Sequence, residues 1–310
     1  MQSRQEIIEL LWEKQFIESE INSMIYGSIE VRNQNGKKYV YVHFRDKGIS
    51  KTKYAGEFSN DLYNTIILNN GIVRECKKRL KHINKRLDDL NYIDENLSED
   101  VKLNIDFAKR NMVDTIYKQA ILEGISTTYP DTENLIELGK INNLNRDDVI
   151  KIINLKHAWE FILNKNVILS KTDFYLLCEI NKFVIDGFYY SAGMLRSTPV
   201  KIGGTKWMPN IPIEADIKES LGKILNKKES AINKAIDLLL YVMKSQMFID
   251  GNKRTSIILA NHYLISHAKG LMVVPESLVD EFKKLLIDYY EKDNQTIIEF
   301  LKNKCYISLQ

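Results

Sequence analysis

Ser245-Gln-Met-Phe-Ile-Asp-Gly-Asn-Lys-Arg-Thr-Ser256 sets a carboxylate, a glycine, an amide and two cations in five consecutive positions between two runs of helical periodicity. The runs, 230–248 and 253–268, predict two helices joined by a tight polar turn at 250–252. A helix start of this kind attracts anions. Its first N–H groups have no intrahelical acceptor, the helix dipole adds partial positive charge, and Gly251 lets the backbone come close. Lys253 and Arg254 supply formal charge for phosphates, and Asp250 suits a Mg²⁺ ion bridging phosphate oxygens. An N-capped helix start with solvated charges accounts for the same residues with less.

Outward from this turn, Pro199, Gly203, Gly204, Pro209 and Pro212 break helical periodicity over 197–212, around short extended pieces at 198–202 and 206–208. This segment reads as a hairpin-like flap. Amphipathic helices are expected near 277–291 and 295–303. His262 and His267, on the helix after the turn, read as packing or surface histidines.

Residues 248–255, Phe-Ile-Asp-Gly-Asn-Lys-Arg-Thr, resemble the Fic/Doc (Fido) signature, written H-x-F-x-D-G-N-G-R-x-x-R or, in Doc-like members, H-x-F-x-D-A-N-K-R-T. Leu122-Glu-Gly-Ile-Ser-Thr-Thr128 resembles the family's I-E-G-x-x-T-T segment, and Ala192-Gly-Met-Leu-Arg196 its A-G-x-x-R lead into the flap. The resemblance spans about 105–300. It implies a mainly α fold with a β-hairpin flap that docks target peptide by strand addition. It also implies transfer of AMP or phosphate from ATP or another nucleoside triphosphate, with Mg²⁺, to a protein hydroxyl.

By position the resemblance makes Phe248 a core anchor and Asp250 the metal ligand and a catalytic residue. Gly251, Asn252, Lys253, Arg254 and Thr255 become the phosphate-binding loop. Thr198, Val200, Ile202 and Trp207 are the expected target contacts in the flap, with a core role open for Trp207. Lys253 matches the Doc-like form, and Ile257 stands where the longer motif has a second arginine. Gln246 occupies the position of the general-base histidine. An amide cannot take a proton near neutral pH, and loss of a positioned base costs on the order of 10²–10⁴ in rate.

The family's autoinhibitory helix, placed at about 105–124, presents a glutamate to the clamp arginines. Here that residue is Glu123, with Arg254 or Lys253 as its expected partners. A helix-end residue before a glycine C-cap explains it equally. Asn181 reads as a structural hydrogen-bonding residue.

Residues 1–95 form a separate α+β module. A helix over 5–24 precedes a hairpin with the turn pair Asn35-Gly36, a third short strand at 51–55, and a helix over 60–90. Leu62, Ile66, Ile67, Ile72, Leu80, Ile83 and Leu87 are its expected buried positions. A polar junction at 91–100 leads into the Fic/Doc-like domain at 96–310. Residues 31–86 carry 14 Lys/Arg against 4 Asp/Glu. With Tyr39, Tyr41 and His43 on the hairpin, that charge suits nucleic acid, while a solvated amphipathic helix over a small sheet explains it with less assumption.

Overall the charge is only +3 and 44% of residues are hydrophobic, which excludes a nucleic-acid coat or a membrane-surface protein for the chain as a whole. Cys76, Cys178 and Cys305 lie too far apart for a zinc motif or a disulfide framework. With no signal-like N-terminus and no spanning apolar run, the expected compartment is the cytoplasm. Three readings follow: a Fic-family transferase weakened by Gln246, a nucleotide- or target-binding pseudoenzyme, and a nucleic-acid-binding regulator acting through the basic module. Expected partners are a target protein at the flap and a second copy of the chain as a homodimer. A toxin–antitoxin-like setting and a nucleic-acid partner stay open, and no membrane is expected.

Overall fold

The computed structural model describes residues 2–34, 36–46, 49–90, 92, 97–141 and 144–309. Backbone contacts divide the chain into two units, Met1–Ile93 and Asp94–Gln310. Asn35 of the hairpin turn and much of the 91–100 junction lie outside the described residues.

In the first unit, α1 (Gln2–Ser23) leads to strands β1 (Ser28–Gln34), β2 (Lys37–Asp46) and β3 (Ile49–Glu57), then to α2 (Asn60–Asp89). The sheet is antiparallel in the order β1-β2-β3. Alternation of side chains buries Val40 and Val42 against Ile66 of α2, which leaves Tyr39, Tyr41 and His43 on the opposite face. Ser59 caps α2 by accepting the Leu62 N–H.

The buried stripe of α2 is Ile66, Val73, Cys76, Ile83 and Leu87, spaced as one helical face requires. Ile67 and Ile72 were expected inside and are 51% and 44% exposed. At about 100° per residue both fall off the stripe that Ile66 and Val73 define. Leu62 and Leu80 are partly buried at its edges.

The second unit runs α3 (Glu99–Arg110), α4 (Met112–Leu122), α5 (Tyr129–Leu138), α6 (Arg146–Ile162), α7 (Lys165–Ile168), α8 (Phe174–Val184), α9 (Glu214–Asn226), α10 (Ala231–Ser245) and α11 (Asn252–Ser266). A two-residue strand β4 (Leu271–Met272), α12 (Val279–Lys292), α13 (Thr296–Phe300) and β5 (Tyr306–Ile307), paired to β4, complete it. The single helix expected over 105–124 is two helices, broken at Asn111, whose side-chain amide turns back onto the Phe107 carbonyl.

Helix α11 forms the axis of this unit, packed by α10, α8, α6 and α3. All its residues but Lys253 and Ser266 are buried. Burial on every side requires its polar groups to be paired. Asn261 bonds the Ile257 and Met272 carbonyls, and His262 bridges Thr172 and the Val167 carbonyl, so His262 is a packing histidine. The three cysteines are free, and burial pushes the thiols of Cys178 and Cys305 up to about 12. Among the described residues no helix is long and apolar enough to cross a membrane.

Residues 197–212 double back on themselves, as read, with a turn at Gly203-Gly204, but no strand ladder joins the two limbs. The buried Arg196 guanidinium joins them instead. It donates to the Thr198 carbonyl on one limb and to the Pro209 and Asn210 carbonyls on the other. Five prolines and glycines in this stretch remove the donors and the regular backbone that a ladder needs.

Candidate functional site

The loop between α10 and α11 is built from side chains that bond to its own backbone. Helix α10 ends at Gln246 in the left-handed conformation, φ 44°. For a residue with a Cβ this costs about 1–3 kcal/mol and persists only when neighbours enforce it. They do so here. The Gln246 carbonyl accepts from Arg196 Nε at 2.6 Å, its Nε2 donates to the Met243 carbonyl at 2.6 Å, and its Oε1 accepts from Asn252 Nδ2 at 3.2 Å.

Asn252 closes the loop. Its Oδ1 accepts the Phe248 N–H and its Nδ2 donates to the Phe248 carbonyl, both at 2.9 Å. Phe248, buried, anchors that turn in the core. Asn181 of α8 holds the loop from beneath, donating to the Asp250 carbonyl and to Thr255 Oγ1 while accepting the Gly193 N–H. Its structural reading therefore stands. Gly251 has φ +76°, and a Cβ there would come within 2.6 Å of Ile185 and 2.9 Å of Val184. Only glycine lets the loop sit this close to α8.

These bonds divide the sequence-derived site residues into two groups. Asn252 has its side chain consumed by the loop, and Thr255, wholly buried, bonds Asn181, so neither side chain is available to a ligand. What Asn252 offers is its backbone N–H at the start of α11, where Gly251 provides no side-chain cap. Asp250, Gly251, Lys253 and Glu123 face a cavity of about 420 Å³.

Charge is concentrated at that cavity. Arg254 is 3% exposed, and it donates to the Val184 carbonyl and to Asp250 Oδ2, both at 3.1 Å. Glu123, the C-cap of α4, sets Oε1 3.2 Å from Lys253 Nζ and Oε2 3.3 Å from Arg254 Nε. The sequence offered Arg254 or Lys253 as the partner of Glu123, and the structure brings the carboxylate to both. Charge meets charge there without hydrogen-bond alignment. Neither Arg254 Nε nor Glu123 Oε1 makes a directed hydrogen bond among the described residues. Asp250, 42% exposed, also accepts the Gly251 N–H.

Sequence reasoning missed the opposite wall, made by Lys283, Leu286, Ile287 and Tyr290 of α12, with Ile249 and the flap tip Ile202-Gly203. A signal existed. Positions 283, 286/287 and 290 form one stripe of an amphipathic helix, but spacing does not say which neighbour the stripe meets. Tyr290 donates to the Met243 carbonyl, and burial holds its hydroxyl pKa above the ordinary tyrosine value. It is no substitute base for the missing histidine.

Of the expected target contacts, Thr198 is exposed, and Val200 and Ile202 are half-buried. Trp207 is pinned: its Nε1 donates to the Lys244 carbonyl, and Lys244 Nζ lies 5.2 Å from its ring centre. The far limb of the flap is tied by Glu291, whose carboxylate accepts from Thr205 Oγ1 and the Lys206 N–H at 2.8 Å each.

Residues 171–264, which hold α8, the flap, α10 and α11, match the model of the Fic/DOC family. The matched residues lie within the second unit. Solved structures resemble it in fold. One is Fic-1 (residues 134–508) from C. elegans, at 17% identity and a TM-score of 0.52, covering 78% of this chain and 76% of that one. Another is a Fic-domain-containing signaling protein from Bacteroides thetaiotaomicron, at 17% identity and 0.50, covering 61% and 74%. A Fic-family protein from Desulfovibrio desulfuricans follows at 14% and 0.50, covering 67% and 72%. At such identities the likeness is one of fold. No curated protein matches the chain.

Proposed function

We propose that the Fic domain binds a nucleoside triphosphate with Mg²⁺ and transfers its AMP to a Ser, Thr or Tyr hydroxyl of a target protein, at a rate held low by Gln246. The observation that carries this reading is the 420 Å³ cavity onto which Gly251 and Asn252 of the uncapped α11 start, Lys253 and Asp250 open together. The residues suit the ligand. Arg254 Nε is buried without a directed partner, and a phosphate oxygen would complete it in place of the Glu123 carboxylate. Asp250 is a single hard carboxylate. It lies on the cavity, 42% exposed, which suits Mg²⁺, since that ion takes one or two carboxylates and draws its other ligands from phosphates and water. Bound there, the ion would neutralise phosphate charge.

The chain's own residues divide the remaining work. The α11 N–H groups and Lys253 receive phosphate oxygens, and Arg254 joins them once Glu123 withdraws. The exposed limb at 198–202 takes the target main chain alongside it. The target oxygen forms a bond to the α-phosphorus as the bond to pyrophosphate breaks, and the hydroxyl proton passes to solvent water in the absence of a positioned base. Gln246 does not accept it, because an amide is not basic near neutral pH. Its side chain is also held between Met243 and Asn252. That second fact favours a further reading, a nucleotide- or target-binding pseudoenzyme.

ATP labelled in the α or the γ position, incubated with the protein and a cell lysate, separates these readings. Slow α-label transfer to protein is expected, with Gln246→His raising it at least tenfold by restoring a base. Transfer of γ label alone would replace AMP transfer with phosphoryl transfer. ATP binding by calorimetry with no transfer from either variant would leave the pseudoenzyme, and no binding would overturn the proposal.

A further inference from the structure

The first unit holds a cluster of cations that the Fic reading does not use. Along α2, Arg74, the adjacent pair Lys77-Lys78, Lys81 and Lys85 succeed one another about one turn apart, so they form one exposed ladder about 16 Å long. Four of them, Arg74 to Lys81, line a concavity of about 620 Å³ with Tyr26, Gly27, Ser28, Asn70 and Val73, and no carboxylate lines it.

The rim of this groove is rigid. Asn70 clamps Gly27 from both sides, accepting its N–H at 2.7 Å and donating to its carbonyl at 3.0 Å, and Asn69 donates to the Ile25 carbonyl. Gly27 has φ +134° and lies so near β2 that a Cβ would come within 2.5 Å of the His43 carbonyl oxygen. The Tyr26 ring rests against Phe44 and carries Lys77 Nζ 5.2 Å from its centre.

Pairing separates two faces of α2. Arg79 and Arg86 form ion pairs with Glu13 and Glu6 of α1, both at 2.6 Å. Of the groove ladder, Lys78 pairs with Glu75, one turn away on its own helix. Among the described residues no carboxylate pairs with Arg74, Lys77, Lys81 or Lys85. A solvated helix face distributes acids among its bases. This face has gathered cations rung after rung along one side of the helix, the pattern that suits a polymer carrying one anionic charge per unit.

We propose that the α2–β1 groove binds the phosphate backbone of a single-stranded nucleic acid. The ladder's rungs, Arg74, Lys77 with Lys78, Lys81 and Lys85, stand about 4.5–6 Å apart along the axis, which lets consecutive phosphates be met by consecutive rungs. The binding is electrostatic and tolerant of sequence, because the groove presents cations, and its one amide, Asn70, is taken up by Gly27.

Fluorescence anisotropy of the full chain with a fluorescein-labelled RNA strand of about 20 nucleotides tests this, titrated from about 50 to 200 mM salt. Affinity is expected to fall steeply with salt. Joint substitution Lys77→Gln and Lys81→Gln should raise Kd at least tenfold at the lower salt and flatten the log–log slope by about 1.4, for two lost phosphate contacts. Arg79→Gln, on the face paired to α1, should change neither. Because all three side chains are exposed, circular dichroism should show each variant folded. Absence of salt-dependent RNA binding would overturn the proposal, as would equal losses in both variants. Binding to phosphatidylglycerol vesicles with none to RNA would assign the groove to a membrane surface and overturn it as well.

Discussion

Two regions of this molecule carry clustered cations, and they manage the charge in opposite ways. In the α10–α11 loop, Lys253 and Arg254 are paired internally, to Glu123 and Asp250, and the backbone is closed by Asn252, Gln246 and Asn181. On α2, Arg74, Lys77 and Lys81 face solvent with no carboxylate partner among the described residues. A buried cation without a counter-charge costs several kcal/mol, so the loop carries its own anions. An exposed cation pays no such penalty, so α2 can hold its charge open. The first arrangement favours a gated, geometrically specific site. The second favours fast, salt-sensitive attraction.

Substitutions can break or sharpen this contrast. The largest effect is expected from Gly251→Ala, which adds a Cβ into Ile185 at a left-handed position. Backbone strain and overpacking together should remove about 2–5 kcal/mol of stability, read as a lowered thermal midpoint. Survival of the wild-type midpoint would mean that the loop is looser than its hydrogen bonds indicate.

Next comes Glu123→Gln, which withdraws the carboxylate between Lys253 and Arg254. Stability of the free protein should fall by about 1–3 kcal/mol, because Arg254 keeps only Asp250 as counter-charge. ATP should bind about 5–150-fold more tightly by calorimetry, the range of ordinary coupling energies. Tighter binding with no loss of stability would mean that Glu123 blocks space rather than neutralising charge.

Lys77→Gln with Lys81→Gln removes two cations from the open region. Chemical denaturation should find stability within about 0.5 kcal/mol of wild type, as for surface positions without partners. A larger loss would reveal a structural role for the ladder.

Smallest is a pH effect at the flap. The Lys206 N–H and the Thr205 hydroxyl bond Glu291 and hold its carboxyl below the usual carboxylate range. A depressed folded-state value means that this tie is fully present above the ordinary carboxylate pKa and is lost as pH falls through the depressed one. Relative to the intrinsic exchange rate at each pH, protection of the Lys206 N–H should therefore fall on acidification in the wild type and be low throughout in Glu291→Gln.

Much of the site's place in the chain was legible in advance. Residues 248–255 with their flanking helices located the loop, and Phe248, Gly251 and Glu123 stand where the motif put them. The motif did not distinguish residues that face a ligand from residues that build the loop. Asn252 and Thr255 looked like phosphate contacts, and their side chains bond Phe248, Gln246 and Asn181 instead. The hairpin reading of 197–212 failed at its ladder, because turn residues signal a reversal of chain direction and not what joins the limbs. On α2 the helix was evident, yet two of its apolar residues were assigned to the wrong face.

By itself the sequence determined what short-range physics encodes: period-two strands, period-3.6 helices, caps, and a glycine turn between two helices. Those depend on residues a few positions apart. Only the tertiary structure decided which buried polar group meets which partner, as when Asn181 supports Asp250 from 69 positions away. It also decided that α12 supplies the far wall of the cavity, and that α1 neutralises one face of α2 while the groove side goes without. Such pairings join groups distant in the chain, and local spacing specifies which face a residue takes but not what that face will meet.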